Sequence, residues 1–281
     1  MTHPDFIIIG AMKSGTTTLA AQLAAQPGLF LTDPKEPNFF SDDEIHARGP
    51  DWYAGLFAAA PPGALKGEAS THYTKLPTYP DTVRRLAAAG PAPKLIYMIR
   101  NPLDRAVSHY IHEWTTGEIR SDLETALDRH PTLTEYGRYG MQIAPFADTF
   151  GPDRILLTSL EGLKADPEGE LGRISAFIGL ETPPVWQTGL GARNVSAERF
   201  RKLPFQRVLV DNPLARALRH ALVPKALRER VRRARSITRR PELSEAARAR
   251  LIPIFAADRD ALARVFPDDP ALGLCYPFLA P

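Results

Sequence analysis

A single cysteine, Cys275, stands in the 281-residue chain, so no intrachain disulfide can form; this fits a reducing compartment and a cytoplasmic location. No apolar run approaches the roughly 18 residues that a membrane-spanning helix requires, so no span is expected. The opening MTHPDFIII carries no basic segment or cleavage site, so a signal peptide is not expected either. There is little excess of one charge: 35 Lys and Arg against 32 Asp and Glu leave +3, which argues against a dedicated nucleic-acid binder. No His, Cys and Asp cluster has metal-ligand spacing, so no metal is expected. What is present is a hydrophobic content of 44% and a charged content of 24%, those of a folded domain with a substantial core. Heavy use of Ala, Arg and Pro points to a GC-rich bacterial source.

The stretch Asp5 to Leu19, DFIIIGAMKSGTTTL, organises the rest. Phe6 to Ile9 is an unbroken, β-branched apolar run suited to a strand buried on both faces. Gly10 breaks it, and Thr16 to Gln26 carries Leu19, Leu23 and Ala24 at helical spacing. Strand, tight loop and helix bring the loop amides of Lys13 to Thr17 to a helix N-terminus, which favours an anion. Lys13 adds a full charge, and Ser14, Thr16, Thr17 and Thr18 add hydroxyls: a site for phosphate or sulfate. The spacing of Gly10 and Gly15 matches the nucleotide-triphosphatase loop G-x-x-x-x-G-K-[ST], but Thr16 stands where its lysine belongs and the lysine comes three residues earlier.

Three further blocks follow. TDPKEPNFFSDDE, broken by Pro34 and Pro37, is an irregular segment holding Glu36 ahead of Phe39 and Phe40; by composition alone it is a solvated loop with two core aromatics. KLIYMIRNPLDRAVSHYIHEW reads as a buried strand, Leu95 to Ile99, ended by Arg100, with Pro102 opening a helix that carries Ser108. Arg100 and Ser108 converge on one anion only if that helix folds back over the strand end. Arg154 to Leu160 reads as another strand, followed by a helix with Leu171, Ile174 and Ile178 on one face and a stop at Gly179.

GAMKSGTTTL resembles the 5′-phosphosulfate loop of sulfotransferases that use 3′-phosphoadenosine 5′-phosphosulfate (PAPS), most closely the branch of bacterial and heparan sulfate sulfotransferases. KEPNFF resembles the family segment whose glutamate is the general base. R-N-P-x-x-R-A-x-S-x-Y resembles its 3′-phosphate element. The resemblance covers three ordered blocks between residues 5 and 180. It implies a P-loop-like α/β fold: a central parallel sheet flanked by helices, with a helical C-terminal extension. It implies one domain over 1–281, with a cofactor-binding core at 1–190 and a basic, mostly helical extension at 191–281. Lys13, Ser14, Gly15, Thr16 and Thr17 would bind the 5′-phosphosulfate, and Arg100 and Ser108 the 3′-phosphate. Glu36 and Lys13 would be catalytic, and 3′-phosphoadenosine 5′-phosphate (PAP) the product. The acceptor would be a hydroxyl, less readily an amine, of a carbohydrate, lipid or small molecule.

The chemistry asks Glu36 to take the acceptor proton. A free glutamate has a pKa of about 4.3; burial would raise it, whereas Lys35 would hold it ionised. Where many relatives read E-K-T-P, with a lysine that helps hold the sulfate, this chain has Glu68 followed by Ala69. Lys66 and Lys75 are the alternatives for that charge, neither at the matching position, and His72 is a second candidate base or acceptor contact against a structural reading. Arg105 is expected in a structural ion pair. His109 and His112 are expected at the cleft or surface. Trp52, Tyr53 and Phe57 read as packing. Tyr136, Arg138, Tyr139 and Gln142 either line the acceptor cleft or belong to the core.

Residues 193–240 hold fifteen Lys and Arg against Glu198, Asp211 and Glu229, a local balance of +12 that leaves −9 for the remainder. Arg193, Arg199, Arg201 and Lys202 are placed to form a flap over the 3′-phosphate, as in relatives. The 216–240 stretch, beginning as an amphipathic helix, suits a peripheral contact with an anionic acceptor or membrane surface, or a solvated basic face. Ser244 to Phe266 reads as a final helix packed on the domain. Two rival functions stand beside the resemblance. A P-loop nucleotide kinase would want a lysine after Gly15 and a magnesium-holding acidic strand end, for which Glu161 is the candidate. A non-catalytic anion- or membrane-binding protein would need only the basic segment.

Overall fold

The computed structural model describes residues 3–190, 199–200, 236–237 and 239–279. In chain order its elements are β1 (Phe6–Gly10), α1 (Thr16–Ala24), β2 (Leu29–Leu31), α2 (Asp43–His46), α3 (Pro50–Gly55), β3 (Leu65–Ala69) and a 3-10 turn (Thr71–Thr74). Then come α4 (Thr82–Ala88), β4 (Lys94–Ile99), α5 (Pro102–Thr116), α6 (Leu123–Arg129), α7 (Thr132–Glu135) and α8 (Tyr139–Phe150). The described chain continues with β5 (Ile155–Ser159), α9 (Leu160–Ala165), α10 (Pro167–Ile178), β6 (Arg199–Phe200), β7 (Ser236–Ile237), α11 (Glu245–Val265) and α12 (Ala271–Leu274).

Five strands form one parallel sheet in the order β2-β3-β1-β4-β5. The unbroken apolar runs of β1 and β4 reflect burial on both faces. Phe6 and Ile8 of β1 pack with Leu19 and Leu23 of α1 and Leu171, Ile174 and Ile178 of α10. Ile7 and Ile9 face the opposite layer, built from α5, α8 and α11 through Val107, Ile143 and Phe255. All strands being parallel, their C-terminal ends lie along one edge, where open α/β sheets bind ligands.

β3 escaped the sequence pattern. It reads Leu65-Lys66-Gly67-Glu68-Ala69, yet it lies inside the sheet between β2 and β1. Gly67 pairs with Phe6, and a Cβ there would come within 2.2 Å of the Phe6 ring, so the missing side chain is what lets that ring lie on the strand.

The long helix α11 is a layer of the core. α8 has no side-chain cap of its own. Instead Asp258 of α11 accepts from the amides of Gly140 (2.8 Å) and Met141 (2.9 Å), capping α8 from across the interface. The expected helix over 244–266 is thus found over Glu245–Val265, with Ser244 as its N-cap. β6 and β7 form an antiparallel ribbon, with Arg199 opposite Ile237, against α5. The amphipathic helix expected near 214–222 and most of the basic stretch lie outside the described residues.

Candidate active site

β1 ends at Gly10 because Thr74 occupies the space a side chain would need: a Cβ on Gly10 would sit 1.9 Å from Thr74 Oγ1, which donates to the Ile9 carbonyl at 2.9 Å. The loop then turns through Lys13 (φ 69°) and Gly15 (φ 94°), the residue from which α1 departs. Gly15 is required twice over, by its left-handed conformation and because a Cβ would meet Leu160 Cδ1 at 2.8 Å. Thr16 is buried and Thr17 half-exposed at the start of α1, where their N–H groups precede the first helical bond, made by the Thr18 amide to the Gly15 carbonyl at 3.0 Å. Ser14 is fully buried beside the Tyr139 phenol, and its Oγ makes no hydrogen bond of acceptable geometry.

Arg100 leaves the end of β4 and donates through Nη1 to the Lys13 carbonyl at 3.4 Å, tying the second block to the loop. Its Nε is buried without a partner, and its own carbonyl accepts from Tyr139 Oη at 2.8 Å. Asn101 caps α5 by accepting from the Leu103 amide at 3.0 Å, with Pro102 in the first turn. Ser108 is half-exposed, six residues beyond Pro102 on α5; among the described residues it is not bonded to Arg100. Arg105 corrects the expected ion pair. It is fully buried, donating to the Leu133 carbonyl and, at 3.4 Å, approaching His109 Nδ1. Beside Asp104 in the first turn of α5 stands Arg240, 2.8 Å from Asp104 Oδ1. The side chains of Arg193, Arg199, Arg201 and Lys202 lie outside the described residues.

Glu36 follows β2 and, with Lys13 and Asn38, is one of three described non-glycine residues at positive φ, at 63°. All three sit on loops at this sheet edge, where strained backbone commonly accompanies function. The Glu36 amide donates to the Ala69 carbonyl at 3.0 Å and the Asn38 amide to Ser70 Oγ at 3.1 Å, fastening the segment to the end of β3. Glu36 Oε1 accepts from Lys35 Nζ at 2.6 Å and from Thr71 Oγ1 at 3.3 Å. Burial pushes its pKa up, but the charge and hydrogen bond of Lys35, with His72 and Lys75 behind, outweigh burial and leave the carboxyl below its ordinary value. Of the two alternatives, Lys35 wins.

His72 stacks on Tyr79 with ring centroids 4.8 Å apart, and its Nδ1 is buried without a partner. Burial, aided by Lys75, drives its pKa down to about 4, so the imidazole is neutral near pH 7 and a weak base. Lys66 is the second residue of β3, away from the edge, while Lys75 is buried just beyond the strand's other end. His109 is buried rather than at the surface, stacked on Tyr136 and 3.3 Å from Glu113 through Nε2. Of the aromatic block, Tyr139 and Gln142 are fully buried core residues, Gln142 bonding both the amide and the carbonyl of Leu76. Phe39, Phe40 and Tyr53 pack together as expected, Phe39 stacking on Tyr53 at 4.5 Å.

One feature of this edge had no sequence signal. Glu68 is fully buried in β3, where it accepts from Tyr53 Oη (2.6 Å), Ser70 Oγ (2.7 Å) and Tyr73 Oη (2.8 Å). Ser70 and Tyr73 lie just downstream, at the N-cap and inside the 3-10 turn, whereas Tyr53 comes from α3, fifteen residues earlier. The network joins α3 to the 3-10 turn behind Glu36.

The parallel sheet and the glycine-turned loop running into α1 define a P-loop-like α/β fold. The family model of the sulfotransferase domain matches residues 3–208, and the chain belongs to that family. Among its curated relatives, heparan sulfate glucosamine 3-O-sulfotransferase 6 of Mus musculus is 31% identical over 189 residues, 63% of this chain and 53% of that protein. The bifunctional heparan sulfate N-deacetylase/N-sulfotransferase 1 of Caenorhabditis elegans is 25% identical over 197 residues, 64% of this chain and 22% of its own length. The chain thus spans about half the length, or less, of these relatives. The crystal structure of a sulfotransferase from Alicyclobacillus acidocaldarius shares the fold at a TM-score of 0.70 and 23% identity, covering 96% of this chain and 98% of that one. Among the described residues no helix is long and apolar enough to cross a membrane, and no cluster of three His, Cys, Asp or Glu is arranged to hold a metal.

Proposed function

We propose that this chain is a PAPS-dependent sulfotransferase acting on a hydroxyl, less readily an amine, of a carbohydrate, lipid or small-molecule acceptor. The observation that carries the reading is the pair of unsatisfied buried groups flanking Lys13, Ser14 Oγ and Arg100 Nε. Each unpaired buried donor costs about 1–3 kcal/mol, and an anionic nucleotide relieves both. PAPS fits this polarity, since it presents a phosphosulfate and a 3′-phosphate to two neighbouring cationic regions.

Lys13 and Ser14, with the amides and hydroxyls of Gly15, Thr16 and Thr17, would hold the 5′-phosphosulfate. Arg100, a planar fork of donors, and Ser108 would hold the 3′-phosphate. When bound, PAPS supplies a sulfuryl group whose bond to the phosphate oxygen breaks as the acceptor oxygen bonds to sulfur, the electron pair leaving with PAP. Glu36, held ionised by Lys35, takes the acceptor proton. Lys13 and the helix N-terminus stabilise charge developing on the bridging oxygen.

The names of the relatives support a glycan among the acceptor classes. We take residues 1–281 as one sulfotransferase domain, with the docking of α11 on α8 in support. On charge alone, residues 216–240 would meet an anionic acceptor or lipid surface at the periphery. The single cysteine supports a reducing, cytoplasmic setting. A nucleotide kinase gains nothing from Glu161, whose oxygens accept from the Asn101 amide (3.0 Å) and Cys275 Sγ (3.3 Å). A non-catalytic binder leaves the strained, lysine-paired Glu36 without a purpose.

Calorimetric titration of PAP into the wild type and Arg100→Ala tests the reading. Micromolar binding that falls at least about tenfold in the variant is expected, from loss of charge-assisted hydrogen bonds. A wild type that ignores PAP and binds ATP with magnesium overturns the assignment in favour of a kinase.

A further inference from the structure

Lys75 is only 8% exposed, a rare state for an unpaired lysine. Among the described residues its Nζ makes no ion pair and no hydrogen bond; it lies over the Tyr136 ring, whose centroid is 5.7 Å away. Burial pushes its pKa down to about 8, against the pull of Glu36 and Glu113 and with the push of Arg105. An ammonium so placed would be stabilised by an anion brought against it.

The backbone holds Lys75 firmly at that place. Immediately before it, Thr74 is bonded to the Ile9 carbonyl where β1 enters the anion-binding loop. Immediately after it, Leu76 is gripped at both its amide (2.7 Å) and its carbonyl (2.9 Å) by Gln142. Four residues earlier Thr71 bonds Glu36. The segment from Thr71 to Lys75 therefore bridges the loop of Lys13 and the carboxylate of Glu36. β3 itself brings no cation to this edge, since its last residue is Ala69.

We infer that Lys75 is a second cation of the transfer site, its ammonium meeting the sulfuryl group of PAPS beside Glu36. The inference rests on the sulfotransferase reading above. In that role Lys75 neutralises charge on the sulfuryl oxygens while Glu36 receives the acceptor proton, and its burial lets one charge act strongly without reorganisation.

PAP lacks the sulfuryl group and PAPS carries it, so the ratio of their affinities isolates the contact without an acceptor. Both nucleotides are titrated calorimetrically into the wild type, Lys75→Met and Lys75→Arg. Lys75→Met should weaken PAPS by about tenfold, the worth of a charge-assisted bond, and leave PAP within about twofold. Lys75→Arg should keep the wild-type preference.

A pH series gives a second measurement that survives misfolding of Lys75→Met. The groups facing Lys75 titrate elsewhere: Glu36 and Glu113 are held low, His72 and His109 are lowered to about 4, Tyr136 is pushed up, and Arg105, lowered by burial, starts from an ordinary value far above this range. The wild-type preference for PAPS should therefore fall as pH rises through about 8, and that of Lys75→Arg should not. Equal weakening of PAP and PAPS by Lys75→Met, or no weakening of either, overturns the inference, as does a wild-type preference independent of pH. A wild type that binds neither nucleotide instead defeats the underlying sulfotransferase reading.

Discussion

Lys35 Nζ lies 2.6 Å from Glu36 Oε1, and this neighbour decides the state of the carboxylate. Burial alone would raise the Glu36 pKa; Lys35 reverses the sign. Glu36 is therefore ionised through the neutral range, and on the acid side turnover should fall as pH drops through that depressed value. In Lys35→Met the acidic limb of kcat/KM, followed as PAP release with a hydroxyl acceptor, should move to higher pH. A limb that stays in place would show that Glu36 is not the group being titrated. Glu36→Gln should lower turnover by about 10²–10⁴-fold with PAP affinity intact.

Ser14→Ala should separate stability from binding. The variant removes a buried hydroxyl that lacks a well-formed hydrogen bond, worth about 1–3 kcal/mol. The ligand-free melting temperature should rise by about 2–4 °C per kcal/mol recovered. PAP affinity should drop roughly tenfold for the lost donor. A lower melting temperature together with unchanged PAP affinity would place the hydroxyl in the scaffold.

Glu68 carries a stability signature with the opposite sign to a salt-bridged carboxylate. Burial raises its pKa, and the hydroxyls of Tyr53, Ser70 and Tyr73 offset only part of that. Because the folded value lies above the unfolded one, its contribution is full below the unfolded pKa and is lost as pH rises through the folded pKa. Urea midpoints of the wild type should therefore fall relative to Glu68→Gln over that rise. A difference that is flat with pH contradicts the raised value.

Gly140→Ala tests the docking of α11. The new Cβ would lie 2.5 Å from the Asp258 carbonyl oxygen and 2.8 Å from the Leu262 nitrogen, both backbone atoms that cannot swing aside. A loss of about 1–3 kcal/mol in urea unfolding is expected. Asp258→Ala, which uncaps α8, should cost about 0.5–2 kcal/mol. Wild-type stability in both would mean that the helix does not hold this contact in solution.

Local order determined much of this protein. The apolar runs of β1 and β4 are legible because a strand buried on both faces admits little but apolar side chains. The Gly10-to-Gly15 loop is legible because its turn and the space beside Leu160 demand glycine, and α10 because Gly179 stops it in the left-handed conformation. From these alone an anion site at the edge of a parallel sheet follows.

What only the tertiary structure decided are the relations between distant segments. β3 hides because its interior place is reached with Gly67 under the Phe6 ring and Glu68 paired with hydroxyls from Tyr53, Ser70 and Tyr73, a solution that leaves no apolar run. Whether Glu36 is raised or lowered, whether Arg105 finds a carboxylate, and which lysine is buried beyond β3 all depend on burial and on neighbours many residues away. Periodicity and motif record what a segment needs from its own backbone; electrostatics and packing sum over whatever the fold brings near, and that sum exists only once the chain has folded.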